Sequence, residues 1–271
     1  MLDVMLLAAG RGERMRPLSD RRPKPLLELM GKPLIVWQIE ALARAGFQHM
    51  VINHAWLGSE LVAALGDGSR FGVDISWSAE AQALGTGGGV AQALHLLRGT
   101  EFAVVSADIH TDFDYRSLHT ALPPARDSNN PAQRSEGLAE RSEGVARRST
   151  DPVQRADDEA RGLDDVAHLV LVDDRRVKQD FDLAGSRVVP SASPRLTYGN
   201  IGVFRRSLFA AMEPGLPADL GACLRAAVAQ GRVRGAFHAG AWDNIGTPED
   251  LQRVNDRLQT HSKPTLTREP R

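Results

Sequence analysis

The sequence is short of several things, and each shortage removes a class of protein. It has one cysteine, Cys223, in 271 residues, so no internal disulfide can form, and a reducing compartment is consistent with that. The cysteine sits in an apolar helical stretch, LGACLRAAVAQ, where a buried structural thiol outweighs a nucleophile. Neither sign of charge is in excess: 33 basic residues stand against 34 acidic ones, a formal net charge of −1. The basic stripe of a nucleic-acid binder is therefore missing. No run of about 18 apolar residues occurs, which argues against a helical membrane span. The opening MLDVMLLAAG lacks the basic stretch of a secretory signal and leads straight into glycines. It reads as a buried first strand, and the expectation is a soluble, cytoplasmic protein.

What is present is ordinary in bulk, with 42% hydrophobic and 25% charged residues, as in a globular domain with a sizeable core. Residues 4–8 form a continuous apolar run, which suits a strand buried on both faces. Pro33 opens a helix through LIVWQIEALARA, with Gly46 placed to cap its end. HMVINH, VDISWS and FAVVSAD read as strands; residues 58–65 and VAQALHLL read as helices. This alternation points to α/β architecture: a mainly parallel sheet with helices on both faces.

From residue 123 to 163 the composition changes. The stretch has no aromatic residue and repeats itself as AQRSEG, AERSEG and ARRSTD. It has too little apolar surface to offset the entropy of ordering, and the expectation is a disordered surface insertion. The core pattern resumes at AHLVLVDD. FDLAGSRVV reads as a hairpin, YGNIGVF as a strand, residues 220–230 as a helix, and VRGAFHAGAWDNIG as further strands. Thr247 and Pro248 supply the N-cap and first position of a last helix. The expected organisation is one domain over residues 1–258, interrupted by 123–163, with a flexible tail over 259–271.

Chemistry concentrates in LAAGRGERMRPLSDRRPKPLL, residues 7–27. Gly10 and Gly12 let the backbone pass close to a ligand and offer N–H groups to anionic oxygens. Arg14 and Arg16 follow, and Lys24 is presented between Pro23 and Pro25 on a stiffened loop. Such a donor array suits phosphoryl chemistry. The spacing fits neither a dinucleotide fingerprint, because Met15 stands where the third glycine belongs, nor a Walker loop, because the glycine-Lys-Ser/Thr is absent. A second glycine-rich stretch, Glu80 to Gly89, reads EAQALGTGGG, and Asp108 ends the apolar strand FAVVSAD. A carboxylate at that end of a parallel strand faces the crevice where open α/β sheets bind ligands.

The first of these stretches resembles the signature of the sugar-1-phosphate nucleotidyltransferases, Leu-Ala/Gly-Ala/Gly-Gly-x-Gly-x-Arg-Leu/Met-x-Pro-Leu-Thr followed by Pro-Lys-Pro, with Ser19 in place of the threonine. The resemblance implies a Rossmann-like α/β/α sandwich with a mixed, mainly parallel sheet. It implies catalytic roles for Arg14, bracing the triphosphate, and Lys24, at the reacting phosphate. Nucleotide binding would fall to Ala8, Ala9, Gly10 and Gly12, with Glu80, Gly85 and Gly87 at the base and ribose. Glu80 suits a uracil, because its carboxylate can accept the base's N3–H. A Mg²⁺ ion, or another hard divalent cation, would be held by Asp108 and by the position of Asn244, where the family has an aspartate. Asp243 is a possible substitute. Asp180 and Asn200 are candidates for the sugar-phosphate pocket, and both are also plausible turn residues.

Within the family, VINHAWLG and LGDGSRFG resemble the branch that uridylylates N-acetylmuramate α-1-phosphate to UDP-N-acetylmuramate in peptidoglycan recycling. Asp219 departs from that branch, whose members commonly carry a lysine there. Alternatives stay open: a uridylyl-, thymidylyl- or guanylyltransferase for glucose or mannose 1-phosphate, or a degenerate nucleotide-sugar-binding regulatory subunit. The expected partners are a nucleoside triphosphate and a sugar 1-phosphate, with no nucleic acid or membrane. A monomer or weak homo-oligomer is expected.

Overall fold

The computed structural model describes residues 2–123, 164–176 and 179–262. Strand β1 (Asp3–Leu7) delivers the chain to the glycine-rich loop. A 3₁₀ turn (Glu13–Met15), the helical turn α1 (Leu18–Arg21) and a second 3₁₀ turn (Lys24–Leu26) follow. A small ribbon of β2 (Glu28–Leu29) and β3 (Lys32–Pro33) leads into α2 (Leu34–Arg44). The buried Leu34, Ile35, Ile39 and Leu42 recur at helical spacing and make α2 a one-sided helix. Its end is set by Gly46, which takes φ 93° while its N–H bonds Ala43 O at 3.0 Å.

The chain continues through β4 (His49–His54), α3 (Gly58–Leu65), β5 (Asp74–Ala79), α4 (Gly85–Ala93), β6 (Glu101–Ser106) and β7 (Ile109–Thr111). Beyond the insertion come β8 (Ala167–Val172), β9 (Asp182–Ala184), β10 (Arg187–Val189) and β11 (Thr197–Arg205). The last elements are α5 (Leu220–Ala229), β12 (Val233–Phe237), β13 (Trp242–Asn244) and α6 (Pro248–Ser262).

Among the described residues, nine strands form one sheet in the order β5-β4-β1-β6-β11-β8-β12-β10-β9. Strands β5, β4, β1 and β6 are parallel neighbours, as are β8 and β12. Strand β11 runs antiparallel between β6 and β8, so β8 and β12 point the same way as β6. The sheet is mixed and mainly parallel, as expected. Alternation along β1 feeds two cores. Val4 and Leu6 pack with Ile35, Ile39 and Leu42 on one face; Met5 packs with Val90 and Leu224 on the other. That is the α/β/α sandwich. The carboxyl ends of β1, β4, β5, β6 and β8 open on one side, where such folds bind ligands.

Two sequence expectations change. The helix anticipated at VAQALHLL begins at Gly85, so the glycine run forms its first turns. Helix α6 runs to Ser262, four residues into the stretch read as a tail. Val254 of α6 is fully buried with Met15, Leu29, Leu34 and Ile245, and Leu251 and Leu258 pack on the same cluster. Once that face is anchored, each added helical residue costs little. Residues 263–271 lie outside the described residues, as does the proposed insertion except for Pro123.

Candidate active site

Cavity walls come from the ends of four parallel strands. A cavity of about 370 Å³ is lined by the end of β1 and the glycine loop, by Lys24, by Asn53 at the end of β4, by Glu80 just past β5, and by Ser106-Ala107-Asp108 at the end of β6. Gly85, Thr86 and Gly246 also line it. The size suits a small-molecule ligand.

The two loop glycines serve different ends. Gly12 has φ 67°, and a Cβ there would lie 2.9 Å from Lys24 Cβ. Its bare backbone is what lets the lysine lie across the loop. Gly10 has open space where a Cβ would go, and that space belongs to the cavity. Among the described residues no packing requires a glycine at that position, and its bare backbone leaves room for a ligand to pass close. Ser19 retains the function of a hydroxyl residue there, donating to Gly12 O at 2.7 Å. From outside, Arg11 stacks on Trp56 with its guanidinium carbon 4.0 Å from the ring centroid. The Trp56 indole donates to Ser19 O at 3.1 Å. Neither His54 nor Trp56 lines the cavity; the imidazole of His54 fits only because Gly58 has no side chain. Burial pulls the His54 pKa down, with nearby Glu80 opposing.

Lys24 is 9% exposed and its ammonium pairs directly with the Asp108 carboxylate. Arg14 reaches the cavity across Gly246, where a Cβ would come within 3.2 Å of its Nη2. Gly246 and Thr247 are fixed in turn by the cap of α6. Thr247 Oγ1 accepts from Asp250 N at 3.2 Å, and Asp250 accepts from both backbone N–H groups. Three cavity residues thus converge from two separate parts of the chain: Arg14 and Lys24 from the stretch after β1, and Asp108 from the end of β6.

Asn244 lies on β13, paired with Ile109 beside Asp108, and Ile245 N donates to Asp108 O at 2.9 Å. The Asn244 side-chain oxygen is buried without a hydrogen-bond partner. Magnesium is commonly bound through one or two protein oxygens plus substrate phosphates. Asp108 lies on the cavity wall; Asn244 is not among the lining residues, but its orphaned amide oxygen, on the strand paired next to Asp108, is of the donor type such an ion takes. Among the described residues no cluster of three or more His, Cys, Asp or Glu is arranged to hold a metal by itself.

Asp243 does not fit the substitute role. Neighbouring residues on a strand point to opposite faces, and Asp243, 1% exposed, is committed to arginines. It accepts from Arg253 Nη1 at 2.7 Å and from Arg257, with Arg176 at 3.5 Å. Burial pushes its pKa up, but those arginines outweigh burial and hold it below the ordinary value.

Gly87 also departs from expectation. It is buried, its N–H donates to Ala218 O at 3.0 Å, and a Cβ there would meet that oxygen at 2.9 Å. Gly87 and Gly88 of α4 admit the backbone of residues 216–220, and Gly85 and Thr86 line the cavity. Ala8 and Ala9 line the cavity, although the Ala8 N–H is already taken by Asn53 Oδ1 at 2.8 Å.

Asn200 and Asp180 do not line this cavity. Asn200 has φ 57° at the irregularity in β11 and sits one residue before Ile201, which faces Val105 at the carboxyl end of β6. Asp180 N bonds Leu196 O at 2.9 Å, next to the start of β11. The register places both near the edge of the sheet where β6 and β8 have their carboxyl ends. Asp219 caps α5, accepting from Gly221 N at 2.8 Å, a local reason for an aspartate there. The sequence reading missed Asn53; the signal was a polar residue inside an otherwise apolar buried strand.

A nucleotidyl transferase family model matches residues 3–132. The N-acetylmuramate alpha-1-phosphate uridylyltransferase of Neisseria meningitidis is 39% identical over 255 residues, spanning 91% of this chain and 94% of that one. The chain belongs to the nucleotidyl transferase family. A mannose-1-phosphate guanylyltransferase of Mycobacterium tuberculosis is 33% identical over 117 residues, 43% of this chain but 33% of its own length. In fold, a Bacillus anthracis protein described as a glucose-1-phosphate thymidylyltransferase superposes with a TM-score of 0.71 at 15% identity, covering 98% of each chain. The inositol-1-phosphate CTP transferase of T. maritima gives 0.63 at 15% identity, covering 97% of this chain and 98% of that one.

Proposed function

We propose that the protein transfers the uridylyl group of UTP to N-acetylmuramate α-1-phosphate, forming UDP-N-acetylmuramate and pyrophosphate. The observation that carries the reaction class is the meeting of Arg14, Lys24 and Asp108 around one cavity floored by the glycine loop. The sugar assignment rests on likeness to the Neisseria enzyme along nearly its whole length.

In this reading the triphosphate lies over Gly10 and Gly12, with the base toward Glu80 and Gly85. A phosphate oxygen of the sugar 1-phosphate attacks the α-phosphorus, a new P–O bond forms in line, and the bond to the β-phosphate oxygen breaks to release pyrophosphate. The nucleophile is already anionic, so no general base is needed. Lys24 and Arg14 neutralise charge that develops on the phosphoryl oxygens and hold the reactants in line. Asp108 and the Asn244 oxygen would hold a divalent cation, which supplies charge neutralisation on the phosphates when bound. With phosphates present, Lys24 exchanges its Asp108 partner for a phosphate oxygen. Asn200 and Asp180 are proposed for the sugar side. Such a reaction draws on cytoplasmic UTP and suits a role in peptidoglycan recycling.

The test is product formation from UTP with N-acetylmuramate, N-acetylglucosamine, glucose and mannose 1-phosphates. A kcat/KM highest for N-acetylmuramate 1-phosphate supports the assignment. Preference for another sugar keeps the reaction and discards this acceptor.

A further inference from the structure

Along the wall of the cavity that carries Glu80 runs a buried polar chain, of which the steps above use only the Glu80 carboxylate. Asn53 is 2% exposed and Glu80 6%. The Ala8 N–H donates to Asn53 Oδ1 at 2.8 Å, and Asn53 Nδ2 donates to Glu80 Oε1 at 2.6 Å. The Leu84 N–H donates to Glu80 Oε2 at 2.9 Å. The amide orientation is forced: a backbone N–H can only donate and a carboxylate only accept, so the oxygen of Asn53 must face Ala8 and its nitrogen Glu80. Helix α4 closes over the contact at Gly89, where a Cβ would lie 2.7 Å from both Asn53 Nδ2 and Glu80 Oε1.

We infer that Asn53 is a positioning residue for nucleotide choice: it holds Glu80 as a fixed, acceptor-only carboxylate and ties that carboxylate to the start of the phosphate loop. The inference rests on the reading that Glu80 faces the base. Two donors orient the carboxylate, one on each oxygen, and each oxygen keeps a lone pair for the ligand. An acceptor there suits a base whose ring nitrogen carries a proton, as in uracil or guanine. It opposes one whose ring nitrogen is itself an acceptor, as in cytosine or adenine. Discrimination of this kind comes from leaving a buried polar group unpaired with the wrong base.

The chain of donors makes a reciprocal test possible. Asn53→Asp sets two carboxylates against each other. Glu80→Gln sets one amide N–H₂ against another or against the Leu84 N–H. Combining Asn53→Asp with Glu80→Gln restores every hydrogen bond with the polarity of the central contact reversed, and residue 80 then offers both a donor and an acceptor. The measurement is kcat/KM for UTP, GTP, CTP and ATP in the wild type, both single variants and the double variant, together with Tm. The expected result is that each single variant loses on the order of 10- to 100-fold with the preferred triphosphate and melts earlier. The double variant should regain Tm while discriminating poorly between UTP and CTP. Two results would overturn the inference: a double variant no more stable than the singles, or variants that lower all four triphosphates by one common factor. A wild type that prefers GTP would discard UTP as substrate while leaving the role of Asn53 intact. A wild type preferring CTP or ATP would overturn the inference itself.

Discussion

Gly12 carries two constraints at once: a left-handed backbone and a neighbour, Lys24, too close to admit a Cβ. Gly12→Ala is expected to cost roughly 2–4 kcal/mol, from the strained φ and the forced shift of the lysine stem together. Activity should fall further than stability, because the displaced side chain is the one proposed to act at the reacting phosphate. Denaturant unfolding and turnover measured on the same sample check both halves. Lys24→Ala should fold, because the charge lost is partnered by a carboxylate that keeps access to solvent. Turnover should drop about 10²–10³-fold, and wild-type turnover would remove Lys24 from the mechanism. At this scale the sequence was most legible. Arg14, Lys24 and Asp108, singled out because charged groups beside glycines and at a strand end have few structural uses, do come together at one cavity. Gly87 and Asp243 were misread because spacing does not tell whether a glycine admits a ligand or another stretch of backbone. Nor does it tell which face of a two-residue alternation a carboxylate takes.

Helix α6 and strand β13 are held together by charge as well as by their small apolar cluster. Asp243 sits among Arg176, Arg253 and Arg257, and its pKa is depressed although burial alone would raise it. A depressed carboxylate stabilises the fold above its unfolded pKa, near 3.8. That contribution is lost as pH falls through the lower folded value. Asp243→Asn should therefore destabilise the protein at neutral pH by about 2 kcal/mol. This lies below the loss expected for a fully buried pair, since the arginines are partly in water. The variant should also show a shallower loss of stability below about pH 4. Melting curves of both proteins across that range decide it; parallel pH profiles would contradict the assignment. Elements with a clear period or cap were read correctly from sequence, as with α2 ended by Gly46 and α6 begun by Thr247. The start of α4 was not, because glycine disfavours helix locally. Packing against residues 216–220 overrides that preference, and such packing is invisible along the chain.

For the whole molecule, the decisive feature is that four parallel strands end at one cavity and each delivers part of it: the glycine loop, Asn53, Glu80 and Asp108. The order of alternating strands and helices was enough to give the sandwich, and the glycine loop pointed to one wall of the cavity. The link from the glycine loop through Asn53 to Glu80 needed coordinates, because it joins residues 8, 53 and 80 by contacts that no spacing rule encodes. Helices of the described residues are too short or too polar to cross a membrane. The central claim is transfer of the uridylyl group of UTP to N-acetylmuramate α-1-phosphate. The most direct measurement uses UTP labelled at the α-phosphorus with N-acetylmuramate α-1-phosphate and Mg²⁺. The account predicts label in a UDP-sugar, unlabelled pyrophosphate in equal amount, and neither product when the sugar phosphate is omitted. Label left wholly in UTP, or appearing only in free UMP, would contradict it.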